Sequence, residues 1–116
     1  MSGALTRRRF GALLGAIPLA SLPGTKAVPA GSRTHEISIH RFKFEPAELT
    51  IRAGDQVVWT NQDIAPHTAT ELDAHLWDTG KLTRNQSGAI TLDEPGTYPY
   101  FCVFHPRMRG VVRVEG

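Results

Sequence analysis

The C-terminal stretch GAITLDEPGTYPYFCVFHPRMRGVVRVEG (Gly88–Gly116) carries the clearest strand pattern in the sequence. It predicts strands over Ala89–Leu92 and Thr97–Val103, which the Asp93-Glu94-Pro95-Gly96 turn joins, and a last strand that begins at Gly110. After residue 30 no window shows an apolar period of about 3.6 residues, so helices are not expected. Short strands separated by glycine and proline turns predict an all-β Greek-key sandwich or barrel of about seven to eight strands.

The segments upstream of this stretch support the same fold class. HEISIHRFKF alternates apolar and polar residues but slips by one position at His40-Arg41, where we expect a β-bulge within one strand. AELTIRAGD and QVVWTN follow as two further strands, with a turn at Gly54 between them. From residue 62 to residue 87 the pattern predicts loops and one short strand near Leu76-Trp77.

The N-terminal 30 residues have a different composition from the rest of the chain. Three arginines (Arg7–Arg9) precede the apolar run Phe10–Leu22, and small residues and prolines follow up to Ala30. This order is typical of an export signal, and paired arginines are typical of the twin-arginine route. The run is too short to span a bilayer. We therefore expect a signal peptide over residues 1–30, a single domain over residues 31–116, a periplasmic or exported location and no membrane span. The alternatives for the first segment are a basic amphipathic anchor and a disordered N-terminus.

Charge separates the two segments as well. Residues 31–116 contain nine Lys or Arg and eleven Asp or Glu, which gives a net charge of −2, whereas the whole chain has +2. The basic character of the chain thus belongs largely to the expected signal. No basic stripe or aromatic ladder is visible in the domain, so nucleic acid is not an expected partner.

The only cysteine of the chain, Cys102, lies in the motif Cys102-x-x-His105-x-x-Met108. A lone thiol in an oxidising compartment is a liability unless it is occupied. Thiolate, imidazole and thioether are together the donor set of copper that alternates between Cu(I) and Cu(II), and His67 in a loop after a strand is a candidate for a fourth ligand. Three alternatives remain at this point: an ordinary buried thiol, a cysteine nucleophile and a zinc site, for which methionine is a poor ligand.

These motifs resemble those of the cupredoxins, the small blue-copper proteins, in the amicyanin and plastocyanin group. The resemblance rests on FEPAELTIRAGDQVVWTN, PHT and PGTYPYFCVFHPRMRGVVRVE, and the short Cys-x-x-His-x-x-Met spacing is similar to that of the amicyanin-like members. It implies one copper ion with His67, Cys102 and His105 as equatorial ligands and Met108 as the long axial ligand.

Two positions depart from the family pattern. Thr68 follows the first ligand, where an asparagine often joins the two ligand loops, and its shorter side chain makes that link an open question. Phe104 replaces the proline that amicyanin carries before the second histidine. Because phenylalanine has a backbone N–H, we expect an additional hydrogen bond from Phe104 to the Cys102 sulfur.

The resemblance also implies a function. It predicts a monomeric electron carrier, not an enzyme, that docks briefly with a cytochrome, a dehydrogenase or an oxidase. The expected electron port is His105, flanked by Phe104 and Pro106, with Arg107 available to steer an acidic partner. A periplasmic copper carrier or storage protein is the alternative function.

Overall fold

A computed structural model describes residues 31–116, and the expected signal peptide lies outside the described residues. The described chain forms eight strands and contains no helix, and therefore none that is long and apolar enough to cross a membrane. The strands are β1 (Thr34–His40), β2 (Lys43–Glu45), β3 (Glu48–Arg52), β4 (Asp55–Asn61), β5 (Thr70–Glu71), β6 (Ser87–Leu92), β7 (Gly96–Phe101) and β8 (Arg109–Glu115). The predicted all-β fold and the predicted number of strands are confirmed.

The strands form two four-stranded sheets that share one core. One sheet has the order β2-β1-β4-β6 and the other has the order β3-β8-β7-β5. From β2 to β7 the chain changes sheet at every connection. Strand β1 is parallel to β4 and strand β3 is parallel to β8, while the other neighbouring pairs are antiparallel. The crossings between the sheets bring the loop after β4 and the loop after β7 to the same end of the sandwich.

Alternating side chains of β4 supply the centre of the core. Val57 and Trp59 are fully buried, and the next inward position is taken by the buried amide of Asn61. Trp59 packs edge-on against Tyr100 of the facing sheet, with ring centroids 5.3 Å apart. Burial of one large apolar side chain contributes about 1.5–3 kcal/mol, so this strand anchors the sandwich. Because every second residue of β4 points inwards, Asn61 places a buried amide at the end of the sandwich where the loops converge.

The β-bulge expected at His40-Arg41 is wrong. The chain instead makes a two-residue hairpin turn between β1 and β2, with φ of 54° at Arg41 and 62° at Phe42. Both values are left-handed, as in type I′ turns, in which Asn and Gly are preferred. The sequence shows neither residue there, and the turn is held by hydrogen bonds from outside the hairpin, described below.

The short strand expected near Leu76-Trp77 is displaced. The strand is instead β5, Thr70–Glu71. Trp77 lies outside any strand, and its backbone carbonyl accepts a hydrogen bond from the Glu71 N–H at 2.9 Å. The buried Glu71 carboxylate also accepts the N–H groups of Asp73, Ala74 and Leu76, which shapes the loop. A two-residue strand is too short to show an alternating pattern in the sequence.

Asp55, the first residue of β4, ties three segments together at the start of that strand. Its buried carboxylate accepts hydrogen bonds from the His35 ring at 2.9 Å and from the N–H groups of Arg33 and Arg52 at 2.9 and 3.0 Å. These contacts, with that of His35 the largest, lower the pKa of Asp55 from 3.8 to about 2. The ionised form is therefore bound more strongly in the folded state than in the unfolded state.

This pKa predicts an acid-sensitive contribution to stability. A depressed folded-state pKa stabilises the protein above the unfolded value of 3.8, and that contribution is lost as the pH falls towards 2. We expect Asp55→Asn to lose less stability than the wild type over this pH range, although it is less stable near neutrality. Urea unfolding at a series of pH values measures both, and parallel pH profiles for the two proteins would contradict the prediction.

Candidate metal centre

The loop between β7 and β8 presents the three residues of the Cys-x-x-His-x-x-Met motif. The His105 N–H donates to the Cys102 carbonyl at 3.2 Å, and the Met108 N–H donates to the His105 carbonyl at 2.8 Å. The Cys102 N–H closes the loop by donating to the Met108 carbonyl at 3.2 Å. Each three-residue step is thus one hydrogen-bonded turn, so the spacing in the sequence determines how the loop curls around a common centre.

The loop after β4 presents His67 and is organised by Asn61. The Asn61 amide donates to the carbonyls of Ala65 at 2.9 Å and Leu82 at 2.8 Å, and its oxygen accepts the Asp63 N–H at 2.8 Å. His67 and Leu82 exchange two backbone hydrogen bonds. Sequence reasoning missed Asn61, although its place on the inward face of β4, after Val57 and Trp59, was a usable signal.

Three donor atoms from these two loops converge. The Cys102 Sγ lies 3.7 Å from the His67 Nδ1 and 3.6 Å from the His105 Nδ1, and all three donor atoms lie within 4.8 Å of one another. Cys102 and His67 are completely buried, whereas His105 is half-buried. Met108 is buried and lines the same surface depression as His105. The structure therefore brings the predicted histidines and cysteine together, with the methionine beside them.

The donor set fits a single soft or borderline metal ion. Ligand bonds of about 2.0–2.3 Å to one shared ion place neighbouring N and S donors roughly 3.5–4 Å apart, which matches the separations found here. A buried thiol that faces two imidazole nitrogens, with a thioether nearby, is the donor chemistry of a copper site with three equatorial ligands and a weak axial one. A cysteine nucleophile is not favoured, because the sulfur is completely buried.

Comparison with known proteins agrees with this geometry. The sequence model of the cupredoxin-like domain matches residues 12–114. The chain belongs to this family. It is 36% identical over 107 residues to amicyanin-alpha of Methylorubrum extorquens, which covers 86% of each chain. It is also 37% identical over 83 residues to amicyanin of Paracoccus versutus, covering 68% of this chain and 63% of that one.

Solved structures show the same relationship. The reduced state of a proline-to-phenylalanine variant of amicyanin superposes with a TM-score of 0.65 and 35% identity, over 76% of this chain and 86% of that one. A purple cupredoxin from Nitrosopumilus maritimus superposes with a TM-score of 0.66 and 29% identity, over 70% of this chain and 99% of that one. The cupredoxin fold expected from the sequence is confirmed.

In this cupredoxin Thr68 joins the two ligand loops. Its hydroxyl accepts the Val103 N–H at 3.0 Å and forms a second hydrogen bond with the Thr70 hydroxyl at 3.0 Å. Its backbone N–H donates to the Cys102 Sγ at 3.4 Å. The short threonine side chain therefore spans the gap between the loops, and the same residue polarises the sulfur.

The hydrogen bond expected from the Phe104 N–H to the Cys102 sulfur is wrong. Among the hydrogen bonds of residues 31–116, the only backbone donor to Sγ is Thr68. Phe104 lies inside the turn that the His105 N–H closes on the Cys102 carbonyl, and its side chain points outwards and is 48% exposed. Sequence position put Phe104 close to the sulfur, but the facing loop supplies the donor.

Two further residues contact the candidate ligand histidines, and sequence reasoning missed both. The ring of Phe42 meets His67 and His105 edge-on, with centroid distances of 5.0 and 4.8 Å. The Asp63 carboxylate accepts a hydrogen bond from the His67 Nε2–H at 2.9 Å. A carboxylate four positions before a candidate ligand histidine was a usable signal for Asp63, because such histidines commonly donate their second N–H to a carboxylate. Phe42 gave none.

Opposing effects act on the Asp63 carboxyl. Burial raises its pKa, but the N–H groups of Phe42 and Arg41 and the His67 ring lower it by more, so the net shift is downward. Asp63 is therefore ionised at neutral pH. An ionised carboxylate can only accept, so the His67 Nε2 carries a proton, and in the neutral ring the lone pair is then on Nδ1, which faces the Cys102 sulfur.

The predicted docking residues lie on the surface above the donor atoms. His105, Pro106 and Arg107 line one shallow depression together with Phe42 and Met108. Phe42 is 48% exposed, and so is Phe104, which precedes His105 in the chain. The half-buried imidazole of His105 therefore lies in a depression whose other lining residues are apolar except for Arg107.

Proposed function

We propose that this cupredoxin carries single electrons between redox proteins and uses one copper ion held by His67, Cys102, His105 and Met108. The observation that carries the proposal is the convergence of Cys102 Sγ and the two Nδ1 atoms from separate loops. The amicyanin names of the relatives support it. A bound copper ion supplies a one-electron couple between Cu(I) and Cu(II).

The protein itself sets the arrangement of the donors. Asn61 and Thr68 hydrogen-bond the two loops to each other and to the sandwich, so contacts within the protein determine where the donor atoms lie. His67 and Cys102 are shielded from water. Donors that move little between the two oxidation states reduce the reorganisation that accompanies electron transfer.

His105 is proposed as the electron port. It is the ligand candidate nearest to solvent, and Phe104 and Pro106 flank it with apolar surface. A small apolar patch suits weak and brief docking, and Arg107 and Arg109 at its edge favour an acidic partner. We infer a monomer without enzymatic activity, exported through the segment 1–30, with a cytochrome, a dehydrogenase or an oxidase as its partner.

Titration of the apo-protein with Cu(II) tests the function. We expect one equivalent to produce an intense visible band that a mild reductant bleaches and an oxidant restores. A copper carrier would instead bind Cu(I) without colour and pass it rapidly to a chelator. Colourless binding with fast transfer would therefore overturn the electron-transfer proposal.

Substitution of Met108 tests the axial position. We expect Met108→Gln to retain copper and to lower the reduction potential by tens of millivolts, because a harder oxygen donor favours Cu(II); about 59 mV corresponds to a tenfold change in a one-electron equilibrium. Met108→Leu, which removes the donor but keeps the side chain apolar, is the matched control and should raise the potential. Voltammetry measures both, and equal shifts in one direction would contradict the assignment.

A further inference from the structure

Asp63 connects the metal-centre loop to the β1–β2 turn. Its Oδ1 accepts the Arg41 N–H at 2.8 Å, and its Oδ2 accepts both the Phe42 N–H at 2.9 Å and the His67 Nε2–H at 2.9 Å. Only 12% of the Asp63 side chain is exposed. One carboxylate thus binds three donors from two separate parts of the fold, and one of these donors is a candidate ligand ring.

The turn that Asp63 holds is unusual in composition. Arg41 and Phe42 both have a left-handed backbone conformation with positive φ, and neither residue type adopts this conformation readily. Two consecutive N–H groups directed at one anion form a concave binding site for that anion, so the carboxylate offsets the strain of the turn. Without the Asp63 carboxylate, the conformational preferences of Arg41 and Phe42 do not favour this turn.

The position of Phe42 depends on that shape. Its ring is nearly perpendicular to both candidate ligand rings, at 87° to His67 and 89° to His105. The edge-to-face arrangement is favourable for aromatic pairs, and the half-exposed Phe42 ring packs in this way against one completely buried and one half-buried imidazole. A change in the turn would move the Phe42 ring away from both imidazoles.

We propose that Asp63 is a positioning residue of the metal centre, which fixes the proton of His67 on Nε2 and holds Phe42 as a cover over His67 and His105. The inference rests on the proposed function, because it assumes that His67 is a ligand. The tautomer leaves Nδ1 free to bind metal, and the cover limits the access of water to both rings. The site is thereby preorganised before any metal arrives.

The chain contains a matched control for this role. Asp55 also accepts one histidine Nε2–H and two backbone N–H groups, from His35, Arg33 and Arg52. It lies at the end of β4 that is remote from the His67 loop, and the strand between them is about 20 Å long because each strand residue rises roughly 3.2–3.4 Å. Asp63→Asn and Asp55→Asn therefore remove the same charge and the same type of hydrogen bond, but only the first removes them from a candidate ligand.

The first test uses the metal-free protein and nuclear magnetic resonance. We expect the wild type to show His67 as a single Nε2–H tautomer, with slowly exchanging amides at Arg41 and Phe42. In Asp63→Asn the tautomer should become mixed, and both amides should exchange about tenfold faster or more. In Asp55→Asn the His67 signals should stay unchanged. Identical His67 signals and unchanged exchange at Arg41 and Phe42 in Asp63→Asn would overturn the proposal.

The second test measures affinity with Cu(II) and Cu(I) as probes. We expect Asp63→Asn to bind Cu(II) about 10–100-fold more weakly, with a smaller loss for Cu(I), because the lost negative charge favours the higher oxidation state. Asp63→Glu should recover most of the affinity, and Asp55→Asn should bind like the wild type. Equal losses in Asp63→Asn and Asp55→Asn would show a general stability effect and overturn the positioning role.

The two proposals fail in different ways. If the wild type binds no copper, the proposed function fails, while the tautomer and exchange measurements on the metal-free protein still test Asp63. If the wild type binds copper and develops its visible band but Asp63→Asn has wild-type affinity, the proposed function stands and the positioning role is wrong.

Discussion

We expect the Cys102→Ser protein to lack the intense visible band of the copper-loaded wild type entirely. The band requires charge transfer from a thiolate to copper, and Cys102 is the only cysteine of the chain. Serine is nearly the same size, and its oxygen can still accept the hydrogen bond that the Thr68 N–H donates to sulfur. The fold should therefore survive, so the loss of colour reports on the ligand alone.

Absorption spectra of the Cu(II)-titrated variant provide the measurement, with circular dichroism to confirm the fold. Met108→Gln is a suitable companion, because it also alters the proposed ligand set but should keep an intense band. A Cys102→Ser protein that remains blue would remove the basis for the copper centre described here.

Gly110→Ala should destabilise the domain more than any other glycine-to-alanine change in β8 or next to it. Gly110 pairs with Tyr100 across β7 and β8, and an alanine Cβ would lie 2.5 Å from the Tyr100 Cζ and hydroxyl oxygen. Tyr100 is completely buried and also packs against Trp59, so it has little room to move. Overpacking of this kind costs about 1–3 kcal/mol, a large part of the stability of a small domain.

Urea unfolding of the wild type, Gly110→Ala, Tyr100→Ala, their double variant and one control variant tests this prediction. Gly116→Ala is the matched control, because its Cβ would meet Pro95 at an ordinary 3.5 Å. In the double variant Gly110→Ala/Tyr100→Ala, the two costs should be strongly non-additive, since removal of the ring also removes the clash. Additive costs would mean that Gly110 is sensitive for a reason other than Tyr100.

Most of the predictions that proved correct came from patterns among residues that are close together in the chain. The strand pattern predicted the fold class, and the spacing of Cys102, His105 and Met108 predicted a ligand loop, because each step is one local turn. The two-residue turn at Arg41 and Phe42 was missed for the opposite reason. Its conformation is held by Asp63, which lies more than twenty positions away, and not by turn-forming residues.

The sequence by itself determined the all-β class and the residue types available to hold a metal ion, because alternation and short turns are local properties. The tertiary structure decided which groups surround those residues. It placed Thr68, and not the neighbouring Phe104, as the N–H donor to the Cys102 sulfur, and it brought Phe42 against both histidines. These contacts form only when strands from both sheets pack and their end loops converge, and no pattern within one segment encodes that convergence.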